Sequence, residues 1–284
     1  MKKGKKVLVA LGCVVLAIAV GAGVWYTVVH EKSKKYNMIS LDTSLVPEPV
    51  DGPSKEADVQ LSEVKMHYAV YGEGGHPLIL IHGNARSHKD LDETARYLGK
   101  TYTVYSIDSR CHGESSDPGE ISYELMAKDV KEFCEKLKLE KPYVVGHSDG
   151  AIVAITAAYT YPDLFGAVVS CGANSHPETF KPYFTLAVKY NNKKNHDKLN
   201  DMMLEEPQMT TEELSKITCP IYIVAGEFDI MWLSDTVFIH ESIPKSEIAI
   251  IKSGNHSSYI MHDGKQAYAL INGWLSNLED SKQQ

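Results

Sequence analysis

Hydrophobic and polar positions alternate on two different scales along this chain. Residues 7–29 form one apolar run of 23 residues without a charge, whereas from residue 59 onward short apolar runs alternate with stretches of helical spacing. Within that second region, 59–61 and 65–71 read as strands, the latter through the alternation Met66-His67-Tyr68-Ala69-Val70-Tyr71. The run 77–81 (PLILI) is continuously apolar, as expected of a strand covered on both faces. A helix is predicted near 90–98 and a strand over 101–107. An amphipathic helix over 122–137 follows, with Leu125, Val130, Phe133 and Leu137 on one face and Ser122 at its cap. A strand ending at Gly146, a buried helix from Ala151 (AIVAITAAY) and strands over 165–171, 220–225 and 246–252 come next, with a closing helix near 264–278. Strand and helix in strict alternation predict a mostly parallel sheet with helices on both faces.

One segment breaks the alternation. Residues 175–217 carry Lys-, Asn- and Met-containing helical sequence between two strands and read as a small helical lid, in which Tyr183, Phe184, Met202 and Met203 either line an apolar pocket or pack the lid down. The competing reading is a pair of ordinary sheet-covering helices.

The amino terminus adds a different kind of element. Residues 1–6 are basic, and the run 7–29 is long enough to cross a bilayer as a helix, which takes about 20 residues. Trp25 and Tyr26 near its far end suit a membrane interface. A cleavable signal peptide competes, since Ala17-Ile18-Ala19 offers a small-x-small site, but the run continues apolar past it. The expectation is a single-pass anchor with the body outside the cytoplasm; secretion after signal cleavage is the alternative. Residues 30–57, polar and containing Pro47, Pro49 and Pro53, read as a linker to a domain over 58–279.

Charge sharpens this division. Seven of the 29 basic and one of the 37 acidic residues fall within 1–35, leaving residues 36–284 with 22 against 36, a net of −14. An acidic body argues against nucleic acid as a partner. The five cysteines show no C-x-x-C or Cys/His metal spacing, so buried free thiols are expected.

The chemistry concentrates at strand ends. Gly146-His147-Ser148-Asp149-Gly150 is a G-x-S-x-G pattern between a strand and a helix, where a serine hydroxyl is exposed and held for attack. Asp229 follows the strand 220–225 and His256 the strand 246–252, giving the order Ser148, Asp229, His256. His82, His112, His147, His240 and His262 compete with His256, which stands out by following the last strand in a glycine-bearing turn. Glu227 and Asp235 compete with Asp229. His147 and Arg110 read as structural.

This constellation resembles the α/β-hydrolase superfamily over about residues 58–279. His82-Gly83 after the third strand, Asp108 to Ser115 as a variant of the D-x-R-G-x-G-x-S loop, Gly226-Glu227-Phe228-Asp229 and Gly254-Asn255-His256 all match in place. Cys111 stands where that loop usually has glycine. The resemblance implies a serine hydrolase cleaving a carboxylic ester, or an amide or thioester, without metal or organic cofactor. Ser148 would be the nucleophile, His256 the base and Asp229 its orienting acid, with the backbone N–H groups of Asn84 and Asp149 as the oxyanion hole. Ser148-Asp149-Gly150 with Gly172-Ala173-Asn174 is similar to the valacyclovir-hydrolase branch, in which case Asp149 would hold the ammonium of an α-amino ester; alternatively it contributes only its N–H and faces the helix dipole. Carbon–carbon bond hydrolysis, perhydrolysis and a non-catalytic surface-binding role on the same fold stay open.

Overall fold

The computed structural model describes residues 38–195 and 197–283. Its strands are β1 (Met38–Ile39), β2 (Lys55–Gln60), β3 (Lys65–Tyr71), β4 (Pro77–Ile81), β5 (Thr103–Ile107), β6 (Tyr143–His147), β7 (Ala167–Cys171), β8 (Ile221–Phe228) and β9 (Ser246–Asn255). They form one sheet in the order β1-β9-β8-β7-β6-β4-β5-β3-β2. Pairing is parallel from β5 through β4, β6, β7 and β8 to β9, and antiparallel for β2 with β3 and β3 with β5.

Two apolar layers cover the sheet. Ile79, Ile81 and Val144 face the layer that includes the helices α2 (Tyr123–Leu137) and α3 (Asp149–Thr160). Leu78, Leu80 and Val145 face the opposite one, with α1 (Asp92–Leu98) and the closing helix α8 (Gly264–Gln283). Residues 78–81 are all fully buried, so β4 has no polar face to alternate with. Ser122 caps α2 as expected, its Oγ accepting from the Leu125 N–H at 3.1 Å. In the Asp108–Ser115 loop, Arg110 is buried and donates bidentately to Asp129 of α2 at 2.6 and 2.7 Å, locking that loop to the helix.

Three expectations need correction. The body begins before residue 58: β2 starts at Lys55, Ile39, Leu41 and Val50 pack on the core, and the Arg96 Nε donates to the Val50 carbonyl at 2.9 Å. Ile39–Gln284 is one compact unit. The helix near residue 90 starts as a 3-10 turn, His88–Leu91. Between β7 and β8 lie a 3-10 turn (Pro177–Thr179) and the helices α4 (Pro182–Asn195), α5 (Lys198–Glu205) and α6 (Thr211–Leu214), with α7 (Leu233–Ser242) after β8. Within this insertion Met202 and Met203 are buried and Phe184 packs on Phe180 at 4.9 Å, but Tyr183 is exposed rather than packed down with them.

The entry to the insertion is strapped to the loop after β8. Phe180 and Met231 form an antiparallel bridge, flanked by Lys181 N–H to Ile230 O at 2.8 Å and Trp232 N–H to Thr179 O at 2.9 Å. The expected anchor, 7–29, lies outside the described residues; among those described, no helix is long and apolar enough to cross a membrane.

Candidate active site

Ser148 sits between β6 and α3 at φ 55°, ψ −119°, a left-handed conformation that costs a non-glycine residue roughly 1–3 kcal/mol. Its two flanking glycines make the turn sterically feasible. A Cβ on Gly146 would fall 2.1 Å from the Gly150 carbonyl oxygen, and one on Gly150 would fall 2.2 Å from that of Ile81. The Ser148 N–H is held by the Cys171 carbonyl at 2.9 Å, so the hydroxyl stands at the carboxyl ends of the parallel strands, where such sheets present their sites.

His256 and Asp229 arrive from the loops after β9 and β8. The Ser148 Oγ lies 3.0 Å from His256 Nε2, and His256 Nδ1 lies 2.6 Å from Asp229 Oδ1. A carboxylate only accepts, so Nδ1 carries the proton and Nε2 presents its lone pair to the hydroxyl. Asp229 is fully buried. Burial alone would raise its pKa; the adjacent His256 and the N–H groups of Gly226 (3.0 Å) and Ile230 (2.8 Å) outweigh that and hold it below the ordinary value.

Three neighbours fix this line, and their contribution was not readable in the sequence. Ser148 follows β6 while the imidazole comes from β9, so the ring must pass over the end of β7. There Gly172, at φ 74°, leaves room: a Cβ would stand 2.9 Å from His256 Cε1. His147, expected to be structural, donates from Nε2 to the His256 carbonyl at 2.8 Å, and burial together with the neighbouring imidazole lowers its pKa to about 3, so it holds the loop as a neutral ring. Lys181 donates from Nζ to the Asp229 carbonyl at 2.5 Å.

Asp149 is the first residue of α3, whose leading amides have no intrahelical acceptor. The Gly83 backbone crowds the serine from the other side, a Cβ there standing 3.0 Å from that of Ser148, which brings the following residue, Asn84, alongside. The Asn84 side chain donates to the Leu199 carbonyl at 3.1 Å and ties this loop to α5. The Asp149 carboxyl is 2% exposed, and burial pushes its pKa up to about 6, although Tyr123 and Asn84 draw it partly back. Its Oδ2 and the buried Tyr123 hydroxyl lie near one another but have no hydrogen-bond partner.

Apart from His262, which is exposed, the competing residues are otherwise engaged. Glu227 accepts from the Ser253 N–H at 2.9 Å, and Asp235 accepts from the N–H and Oγ of Ser175. His82 bonds Gly83 O and the Ser109 N–H, and burial takes its pKa down to about 4. His112 donates to the Arg110 carbonyl at 2.8 Å, and the ring of His240 contacts Ser246 Oγ at 2.7 Å. Cys111 adopts φ 63°, the left-handed conformation for which the superfamily's loop uses glycine. Cys111, Cys134, Cys171 and Cys219 are free thiols. Among the described residues no group of three or more His, Cys, Asp or Glu side chains is placed to hold a metal ion.

Comparison with known proteins bears on the fold that carries these residues. The sequence pattern of the alpha/beta hydrolase fold family matches residues 76–208. Serine hydrolase BPHL of Homo sapiens is 27% identical over 235 residues, spanning 72% of this chain and 81% of that protein. A probable alcohol acetyltransferase of Wickerhamomyces anomalus is 37% identical over 95 residues, 33% of this chain and 28% of its own length. The thermophilic esterase from Thermogutta terrifontis, crystallised with malate, superposes with a TM-score of 0.64 at 20% identity over 79% of this chain and 99% of the esterase chain.

Proposed function

The chain belongs to the α/β-hydrolase superfamily and is an enzyme of its serine-hydrolase class, and from that premise we propose that it is a membrane-tethered hydrolase of carboxylic esters acting through a Ser148 acyl-enzyme. The observation that carries the proposal is the hydrogen-bonded line from Ser148 Oγ through His256 to buried Asp229, at 3.0 and 2.6 Å.

The chemistry follows from that line. Ser148 Oγ bonds to the acyl carbon while its proton passes to His256 Nε2; the same proton then goes to the alcohol oxygen as its bond to the acyl carbon breaks. Water repeats the sequence against the acyl-enzyme and releases the acid. Asp229 keeps the imidazole in the reactive tautomer and offsets the charge the ring acquires. The amides of Asp149 and Asn84 receive the oxyanion, each such donor contributing roughly 3 kcal/mol to the transition state. Residues 175–217 serve as a lid, and the apolar run 7–29 anchors the body.

A second reading is favoured by one observation. The buried Asp149 Oδ2 has no partner in hydrogen-bond geometry, although Tyr123 and Asn84 lie close enough to act on the carboxyl, and the ammonium of an α-amino ester would supply one.

The test is a panel of short esters, with and without an α-amino group, offered to the wild-type chain and to Ser148→Ala. Turnover is expected in the wild type and a loss of at least about 10⁴-fold in the variant, with unchanged circular dichroism. A fluorophosphonate probe should label Ser148 alone. Full activity in Ser148→Ala would refute the proposal.

A further inference from the structure

Helix α4 has two unlike faces. Phe184 and Val188 turn toward the body, Phe184 against Phe180 and Val188 buried. On the opposite side, Tyr183, Leu186 and Tyr190 are 60%, 68% and 72% exposed. Their spacing of three and four residues puts them on one stripe. Three large apolar side chains in a row on solvent are not the scattered exposure of ordinary surfaces. Ala187 extends the stripe, while Lys193 and Lys194 continue the same outward face through the last turn, with Lys189 at its margin. The helix contains no acidic residue, although residues 36–284 carry 36 acidic against 22 basic side chains.

We propose that the outer face of α4 rests on the head-group layer of an anionic lipid bilayer. Tyrosine and leucine above a lysine flank is the composition of a helix lying in a membrane interface, where aromatic rings take the boundary and ammonium groups meet lipid phosphates. The local positive charge favours an anionic surface over the same face of a second copy, since a two-fold contact through this helix would set its lysines against one another. On the proposed anchor, the tether keeps the body within reach of the bilayer. Only residues 30–38 separate the apolar run from the compact unit that begins at Ile39, and nine residues reach about 30 Å at most. This inference rests on the membrane-anchored part of the proposed function. The consequence for catalysis is that α4, which directly follows the strap onto the loop carrying Asp229, would present the site to esters held in the same bilayer.

The experiment uses the full chain in nanodiscs of phosphatidylglycerol, of phosphatidylcholine, and in neutral detergent. Hydrogen-exchange mass spectrometry reads the amides of 183–194. The expected result is about tenfold slower exchange on phosphatidylglycerol than in detergent, lost in Leu186→Ser/Tyr190→Ser. The same double variant should turn over a phosphatidylglycerol-borne ester about fivefold more slowly, yet match the wild type within about twofold on p-nitrophenyl acetate. Equal exchange in all three environments overturns the proposal. So does protection that appears only with two chains per disc, since the occupant would then be a second copy. Retention of the chain on the discs reports separately on the anchor, and p-nitrophenyl acetate turnover reports on the hydrolase reading.

Discussion

Replacing Asp149 with asparagine should make the protein more stable at neutral pH, by an amount that vanishes in acid. The carboxyl is 2% exposed, and burial raises its pKa from 3.8 to about 6. Below pH 4 both folded and unfolded chains bind the proton and the residue costs nothing. Between about pH 4 and 6 the unfolded chain releases the proton while the folded chain retains it, so stability falls; above pH 6 the full cost is present. A shift of about 2 units at 1.36 kcal/mol each gives about 3 kcal/mol. Asparagine keeps the shape and does not titrate. In a domain of this size 1 kcal/mol moves Tm by about 2–4 °C, so Asp149→Asn is expected to melt roughly 6–12 °C higher at pH 8 and level with the wild type at pH 4. Scanning calorimetry of the full chain in neutral detergent across that range measures it. An offset independent of pH, or a wild type that melts higher at pH 8, would refute the reasoning. Under the second reading of function, the stabilised variant also loses the preference for α-amino esters, a cost of relieving strain at a functional site.

Two further outcomes follow from the geometry. Gly172→Ala places a methyl 2.9 Å from His256 Cε1 in a backbone with φ 74°, and kcat/KM is expected to fall about 100-fold while the circular dichroism spectrum holds; activity within threefold of wild type would show that the imidazole does not need the gap. Asp129→Asn leaves the buried Arg110 guanidinium without its carboxylate and should cost about 3–5 kcal/mol in urea unfolding, whereas Arg110→Met/Asp129→Leu should cost much less; a single variant losing under about 1 kcal/mol would mean that Glu63, 3.3 Å from Arg110, suffices.

Much of the fold is legible in local sequence because the sheet imposes local rules. A strand covered on both faces must be apolar throughout, and β4 occupies the PLILI run to the residue. The turn at Ser148 requires Gly146 and Gly150, so the motif and its geometry are one constraint. Elements fixed by distant partners do not show in this way. Ile39, Leu41 and Val50 lie among prolines and polar residues without periodicity, and only α1 and the core they meet reveal why they are partly buried. The last strand extends to Asn255 rather than 252 because β8 continues beside it through a shifted register at Gly226 and Phe228. The roles of Gly172 and Lys181 arise from loops that meet only in the folded chain, and the unpartnered oxygen of Asp149 reflects what surrounds it rather than its place in a motif.

The strap between Phe180 and Met231 ties the insertion to the loop that carries Asp229. Residues 179–181 begin the insertion, residues 230–232 follow Asp229 directly, and Lys181 grips the Asp229 carbonyl itself. On the proposed mechanism, a molecule wedged beneath that junction would inhibit without touching Ser148: levering the segment outward would draw the Asp229 carboxylate from His256. Blocking compounds of that type would leave Ser148 free, and resistance to them would arise at Phe180 or Met231 instead of at the reacting groups.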